Sequence, residues 1–251
     1  MKTRNIFISL LALISLSSIS LNYYFYTRLI YLENETKGWY MNNNSYLCHS
    51  FLGGKRLFNE NGKRSQTFPA IFFNDRFAND DSLVRFRDYN GKMGYINSSS
   101  MEVEIPASFH FLTEFSNELA LSIQNSSDSC YGFINREAKI VIKPNQLLQT
   151  KFAFGDDIDR RPPRFINGFC IIPVKDGFTI INKKGNKVSD IYNSLLTFSI
   201  KNYIFAYEVN NSWGAVIYDK KKNYFIEYIK PKYKSKQELF NQCKVMQLKQ
   251  L

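Results

Sequence analysis

Histidine is nearly absent from this chain of 251 residues, with only His49 and His110, far apart. Its four cysteines (Cys48, Cys130, Cys170 and Cys243) are scattered rather than set in close pairs. Together these exclude a rich metal site of the usual zinc pattern. No G-x-S-x-G, phosphate-cradling glycine loop or H-E-x-x-H stands anywhere in the chain. The residues therefore nominate no catalytic group, no cofactor and no metal ligand. Asp156-Asp157-Ile158-Asp159 lacks EF-hand spacing and runs into Arg160 and Arg161, so it reads as a solvated loop rather than a calcium site. Acidic residues are short as well: 22 against 33 Lys and Arg, a net charge of +11.

Aromatics are abundant. Twenty-two Phe and 16 Tyr lift the aromatic share to 16% within an apolar share of 44%, which excludes a disordered chain and weighs towards strands. The chain starts Met1-Lys2-Thr3-Arg4-Asn5 and continues as an uncharged apolar run from Ile6 to Leu21. A basic start before an apolar core is an export signal. Ser18-Ile19-Ser20 has the small-x-small form that a signal peptidase accepts. The run also continues through Tyr23-Tyr24-Phe25-Tyr26, and Ile6 to Tyr26 is 21 residues, long enough to span a bilayer with aromatics at the interface. A cleaved signal and an inner-membrane anchor both stay open. Either way the body is expected outside the cytoplasm, facing the periplasm or exterior.

Sliding the chain on itself reveals a period of 38 residues. Met93-Gly94-Tyr95-Ile96-Asn97 returns as Tyr131-Gly132-Phe133-Ile134-Asn135. Upstream of each, Phe77-Ala78-Asn79-Asp80 returns as Phe115-Ser116-Asn117-Glu118-Leu119-Ala120. Downstream of each lies a strand ending near proline, Val103-Glu104-Ile105-Pro106 and Val141-Ile142-Lys143-Pro144. Weaker copies follow at Phe165-Ile166-Asn167-Gly168-Phe169 with Phe178-Thr179-Ile180-Ile181-Asn182, and at Trp213-Gly214-Ala215-Val216-Ile217 with Ile229-Lys230-Pro231. A degenerate early copy stands at Leu57-Phe58-Asn59-Glu60-Asn61-Gly62-Lys63.

These landmarks resemble the WG-repeat family, whose unit carries an aromatic-Gly-aromatic-Ile-Asn/Asp turn followed by a strand closing on Ile-x-Pro. The signature positions here are Gly94, Tyr95, Ile96, Phe115, Leu119, Ala120, Tyr131, Gly132, Phe133, Ile134, Pro144, Phe165, Gly168, Trp213 and Gly214. Glu118 and Thr179 stand where the family has glycine. The resemblance implies a bacterial envelope or secreted protein and no particular reaction.

Physical reasoning reaches the same architecture. Each unit holds β-favouring runs broken by polar turns at Asn135-Arg136-Glu137 and Asn182-Lys183-Lys184-Gly185. A glycine inside the first of these runs marks a bulge or a close approach of another backbone. Such short strands cannot bury their faces alone, so neighbouring units must stack. The expected fold is all-β, made of tandem hairpin repeats in a propeller-like ring or twisted solenoid sheet, with an N-terminal hydrophobic helix and a short C-terminal helix. The expected boundaries are a leader over 1–28, a linker over 29–49, four or five units over 50–234 and a helix over 235–251. That helix opens on a Ser235–Glu238 capping box and presents Leu239, Cys243 and Met246.

Cys48 and Cys243 flank the repeats, so a bridge between them would staple a closed array; the alternative is four small buried thiols. The step from Tyr131 to Phe178 exceeds the period by nine, which places an exposed insertion near 154–164. The functional expectation is a non-enzymatic binding module at the cell envelope. The runner-up is an envelope-polymer hydrolase using carboxylates in a concave site. The partners open to the module are a protein, a surface polymer or an anionic membrane surface, and not nucleic acid.

Overall fold

In the computed structural model, the described residues are 39–40, 45–49, 54–59, 61–72, 82–153, 162–199 and 204–248. They form five antiparallel sheets, and in each the strands pair in chain order. The first holds β1 (Trp39–Tyr40), β2 (Ser45–His49) and β3 (Lys55–Asn59), extended by bridges from Phe58 to Arg64 and from Lys55 to Phe68. The second holds β4 (Ala70–Ile71), β5 (Leu83–Arg87), β6 (Met93–Asn97) and β7 (Val103–Phe109), and the third holds β8 (Phe111–Leu112), β9 (Ala120–Ile123), β10 (Gly132–Ile134) and β11 (Ile140–Ile142). The fourth holds β12 (Phe165–Ile166), β13 (Phe169–Val174) and β14 (Gly177–Asn182), with bridges from Ile181 to Lys187 and from Phe178 to Tyr192 in place of a fourth strand. The fifth holds β15 (Ser194–Ser199), β16 (Ile204–Val209), β17 (Ser212–Asp219) and β18 (Tyr224–Tyr233). Two helices complete the described chain, α1 (Thr150–Ala153) and α2 (Lys236–Leu248).

The third strand of each sheet carries the repeat signature, and its residues point alternately to opposite faces. In β6, Met93 and Tyr95 pack toward the third sheet with Phe115 and Ile134, while Ile96 packs toward the first with Leu57 and Phe68. In β10, Phe133 faces the fourth sheet with Phe165 and Ile181, while Ile134 faces the second. Both faces are therefore buried, which is why these segments are apolar runs rather than alternating ones. Each fully buried Phe, Leu or Ile contributes about 1.5–3 kcal/mol through removal from water. Polar ties add register between neighbours. Tyr95 Oη donates to Thr113 O at 2.5 Å, and Phe225 N donates to Val188 O at 2.7 Å.

The five clusters run in series from the first sheet to α2, and among the described residues none joins the first sheet to the fifth. The outer face of the fifth sheet is covered by α2, whose Leu239 and Cys243 pack on Trp213, Ala215 and Ile229. Half of the capping box forms: Ser235 Oγ accepts from Glu238 N at 3.2 Å, while Glu238 Oε2 accepts from Lys234 N, one residue before the cap, at 3.1 Å.

Two expectations need correction. The repeat array begins before residue 50, because β1 and β2 pair into the first sheet; the assigned linker held strands too short, and too far from the repeat landmarks, to stand out. No disulfide joins Cys48 to Cys243: both are buried thiols, one on β2 of the first sheet and the other on α2 against the fifth. The expected N-terminal helix lies outside the described residues, among which no helix is long and apolar enough to cross a membrane.

Candidate functional site

The hairpin after the third strand opens in all five units on an Asn or Asp whose side-chain oxygen accepts from backbone N–H groups two to four residues on; where the reach is two, this is an Asx turn. Asn59 Oδ1 accepts from Lys63 N at 2.9 Å, and Asn135 Oδ1 from Lys139 N at 2.9 Å. Asn97 Oδ1 accepts from Ser99 N and Ser100 N, Asn182 Oδ1 from Lys184 N and Asn186 N, and Asp219 Oδ1 from Lys221 N and Lys222 N. One residue near the end of each turn adopts positive φ: Gly62, Met101, Ala138, Gly185 and Asn223.

Behind the turns, glycine admits a bulged neighbour. A Cβ on Gly94, Gly132 or Gly214 would stand 2.4–2.6 Å from the carbonyl oxygen of Ile105, Ile142 or Ile229. The fourth unit has Thr179 at that place, and its close approach moves to Gly177, whose Cβ would stand 2.3 Å from Tyr192 O. There Ser189 Oγ accepts from Ile180 N at 2.9 Å and donates to Asp190 O at 2.9 Å. The first unit has the same variant: Gly54 faces Phe68 O, and Ser65 Oγ accepts from Leu57 N at 3.0 Å and donates to Gln66 O at 2.8 Å. Sequence reading missed Ser65 and Ser189. Their signal is a serine three residues before an aromatic, Phe68 or Tyr192, that pairs back to the residue after the glycine.

The hairpins between first and second strands lie at the same edge. Asn117 and Glu118 both take positive φ, as do Asn167 and Gly168. Glu118 thus occupies a family glycine position in the left-handed region. The Lys183 ammonium, 2.8 Å away, holds its carboxyl below the ordinary carboxylate range. Gly168 N donates to Asn117 Oδ1 at 2.7 Å, and Ser116 Oγ donates to Phe165 O.

Where the edges of the fourth and fifth sheets meet, a cavity of about 400 Å³ opens. Asn167, Gly168 and Phe169 form one wall, Asn182, Lys183, Lys184 and Asn186 the second, and Tyr218, Lys220 and Asn223 the third. Phe169 and Tyr218 pack with ring centroids 4.6 Å apart. Among the described residues, no carboxylate lines it. Among the described residues, no three His, Cys, Asp or Glu side chains group to hold a metal. His110 is exposed at the β7–β8 connection.

The sequence-nominated residues divide accordingly. Gly94, Tyr95, Ile96, Tyr131, Gly132, Phe133, Ile134, Phe165, Trp213 and Gly214 build strands and core, as do Phe115, Leu119 and Ala120. Pro144 lies against Gly132, and only Gly168 lines the cavity. Most of the 154–164 insertion, and the Phe77–Asp80 echo, lie outside the described residues.

Residues 131–145, which run from the signature strand through the Asx turn to Pro144, match the family model described as the WG containing repeat. This segment is therefore similar to one WG-type repeat unit. No curated protein matches it. Among solved structures, Kluyveromyces lactis Hsv2p is 11% identical with a TM-score of 0.38, covering 73% of this chain and 58% of that one. The computationally designed Ika8 protein is also 11% identical, with a TM-score of 0.38 and coverage of 74% and 59%. BamB from Moraxella catarrhalis is 10% identical, with a TM-score of 0.35 and coverage of 77% and 63%. The chain spans about three fifths of the length of these structures, and likenesses this distant carry no argument about function.

Proposed function

We propose that this WG-repeat chain is an exported, non-enzymatic interaction module of the bacterial cell envelope, which engages a negatively charged partner through the turn-bearing edge of its fourth and fifth units. The observation that carries this reading is the cavity ringed by Lys183, Lys184 and Lys220 with no acid in its lining. Fixed turns on a stacked scaffold hold such groups in place without further ordering, which favours recognition. A carboxylate-based hydrolase would need two acids facing one cleft, and this lining supplies none. The basic start and apolar run at 2–26 support export.

Immobilised poly-glutamate and polygalacturonate, probed by interferometry between 50 and 300 mM NaCl, test the reading. Binding to at least one polyanion that weakens with salt, without release of amino acids or new reducing ends, supports it. Retention on neither polymer at 50 mM NaCl, or turnover of either, overturns it. Intact mass after membrane and soluble fractionation tests export: a full-length membrane species means an anchor, a soluble species starting near Leu21 means cleavage, and a full-length soluble species refutes export.

A further inference from the structure

The cavity between the fourth and fifth units has a lopsided chemistry. Asn182 Oδ1 is occupied by two backbone N–H groups of its own turn, at 3.0 and 3.1 Å. Asn223 Oδ1 is occupied by the hydroxyl of Tyr218. Both acceptor oxygens are engaged inside the protein, that of Asn182 twice and that of Asn223 once, so the two amides offer a ligand chiefly their N–H groups. Lys184 and Lys220 add ammonium groups, and both side chains are exposed at the rim. What these four residues offer is mainly donors, two of them cationic, so the complement is rich in acceptors and negatively charged. Two aromatic rings stand in the same lining: Phe169 and Tyr218, inclined at 53°, give the cavity an aromatic floor that suits a partly apolar face. A volume of about 400 Å³ falls in the range of small-ligand sites rather than flat polymer contacts.

We propose that this cavity binds a uronic-acid unit of an acidic polysaccharide, with the sugar face against Phe169 and Tyr218 and its carboxylate and hydroxyl oxygens on Lys184, Lys220 and the amides of Asn182 and Asn223. This rests on the interaction-module reading and narrows it to one ligand class. An acidic peptide would satisfy the ammonium groups but leave the aromatic floor without a matching face. Lys183 is already engaged with Glu118 and plays a supporting part.

The test is calorimetric titration of the purified protein with trigalacturonate, with galactotriose as a neutral control and with tetraglutamate. Trigalacturonate is expected to bind, and galactotriose at least tenfold more weakly, since ionic hydrogen bonds are lost. Lys184→Ala with Lys220→Ala should weaken trigalacturonate at least tenfold. Lys139→Ala, an exposed lysine on the turn of the third unit, should leave it unchanged. Circular dichroism of each variant guards against a folding artefact. Absence of trigalacturonate binding, or binding indifferent to the double substitution, overturns the proposal. Equal or tighter binding of tetraglutamate with the same lysine dependence overturns the sugar assignment while the module reading stands. Failure of every anionic probe, with the polymers above also unbound, sinks both.

Discussion

Substituting alanine for Gly132 tests whether the bulged strand pair is what holds a WG unit together. The added Cβ would lie 2.6 Å from Ile142 O, 3.0 Å from Pro144 Cδ and 3.3 Å from Pro144 Cγ, where an ordinary contact begins at 3.4 Å. Backbone must move, because the nearest atom is a carbonyl and not the end of a flexible chain. Ile142 cannot yield freely: it is 3% exposed and packs with Phe133, Phe165 and Ile181 in the cluster joining third and fourth sheets. Overpacking of this kind costs about 1–3 kcal/mol, and loss of the bulge hydrogen bonds adds about 1 kcal/mol. The sum, roughly 2–4 kcal/mol, corresponds to a fall in Tm of about 5–12 °C for a domain this size.

Gly62→Ala is the matched control. Nothing lies within 4 Å of its Cβ, and the cost is the left-handed φ of 75°, about 1–2 kcal/mol. Differential scanning calorimetry of the two variants beside the parent separates steric from conformational cost. A repeat array can melt in stages, so the first transition is the one compared. If Gly132→Ala melts within 1 °C of the parent, or no lower than Gly62→Ala, the close-approach argument is wrong.

Four further outcomes follow from the same geometry. Gly177→Ala should cost about 3 kcal/mol or more, because φ of 138° is a glycine region and the Cβ would meet Tyr192 O at 2.3 Å; urea unfolding checks it. Glu118→Gly should raise Tm by about 1–3 °C through relief of a left-handed glutamate, whereas Glu118→Ala keeps the strain and should give no gain. Leu239→Ala should cost about 2–4 kcal/mol and red-shift the emission of Trp213, on which α2 packs. Alkaline titration should destabilise the junction of the fourth and fifth units, where Tyr192 packs on Tyr207: burial, with Asp190 adding to it, pushes the Tyr192 hydroxyl up to about 12, so its neutral form is the folded form. Stability from this group is full below the unfolded value near 10 and is lost as pH rises from 10 through 12; Tyr192→Phe should remove that component of the pH–Tm curve.

The period, the strand order and the turns were legible because they rest on local chemistry. An Asn that caps its own turn and a glycine that admits a carbonyl are requirements of single positions, and single positions survive in a sequence as spaced letters. The cavity was not legible for the opposite reason. Its walls come from three turns spread between Asn167 and Asn223, and only stacking brings them together. Lys183-Lys184 and Lys220-Lys221 share the same place in their units, directly after the capping Asn182 or Asp219, but a shared place in two units does not show which turns face each other. Cys48 and Cys243 misled because flanking positions in the chain were taken for neighbours in space. The helix α2, rather than the first sheet, covers the face where Cys243 lies.

Degeneracy among the units has a physical explanation in the two ways of accommodating the bulge. In the second, third and fifth units the glycine lies within the third strand and faces an isoleucine carbonyl, with proline on the fourth strand (Pro106, Pro231) or just past it (Pro144). In the first and fourth units the glycine lies five residues before the capping Asn59 or Asn182, takes positive φ, and faces the carbonyl of Phe68 or Tyr192. A serine hydroxyl, Ser65 or Ser189, then accepts the strand N–H at the bulge. The two units that depart most from the family pattern are therefore not decayed copies. They share one alternative solution, in which a hydroxyl satisfies the N–H that the bulge leaves over. Ser189→Ala and Ser65→Ala should each cost about 1–3 kcal/mol by orphaning that buried group. Ser108→Ala, on the fourth strand of a glycine-and-proline unit where the exposed hydroxyl caps nothing buried, should cost less than about 0.5 kcal/mol. Equal costs at all three positions would mean that the serine is incidental, and that the first and fourth units are weakened repeats after all.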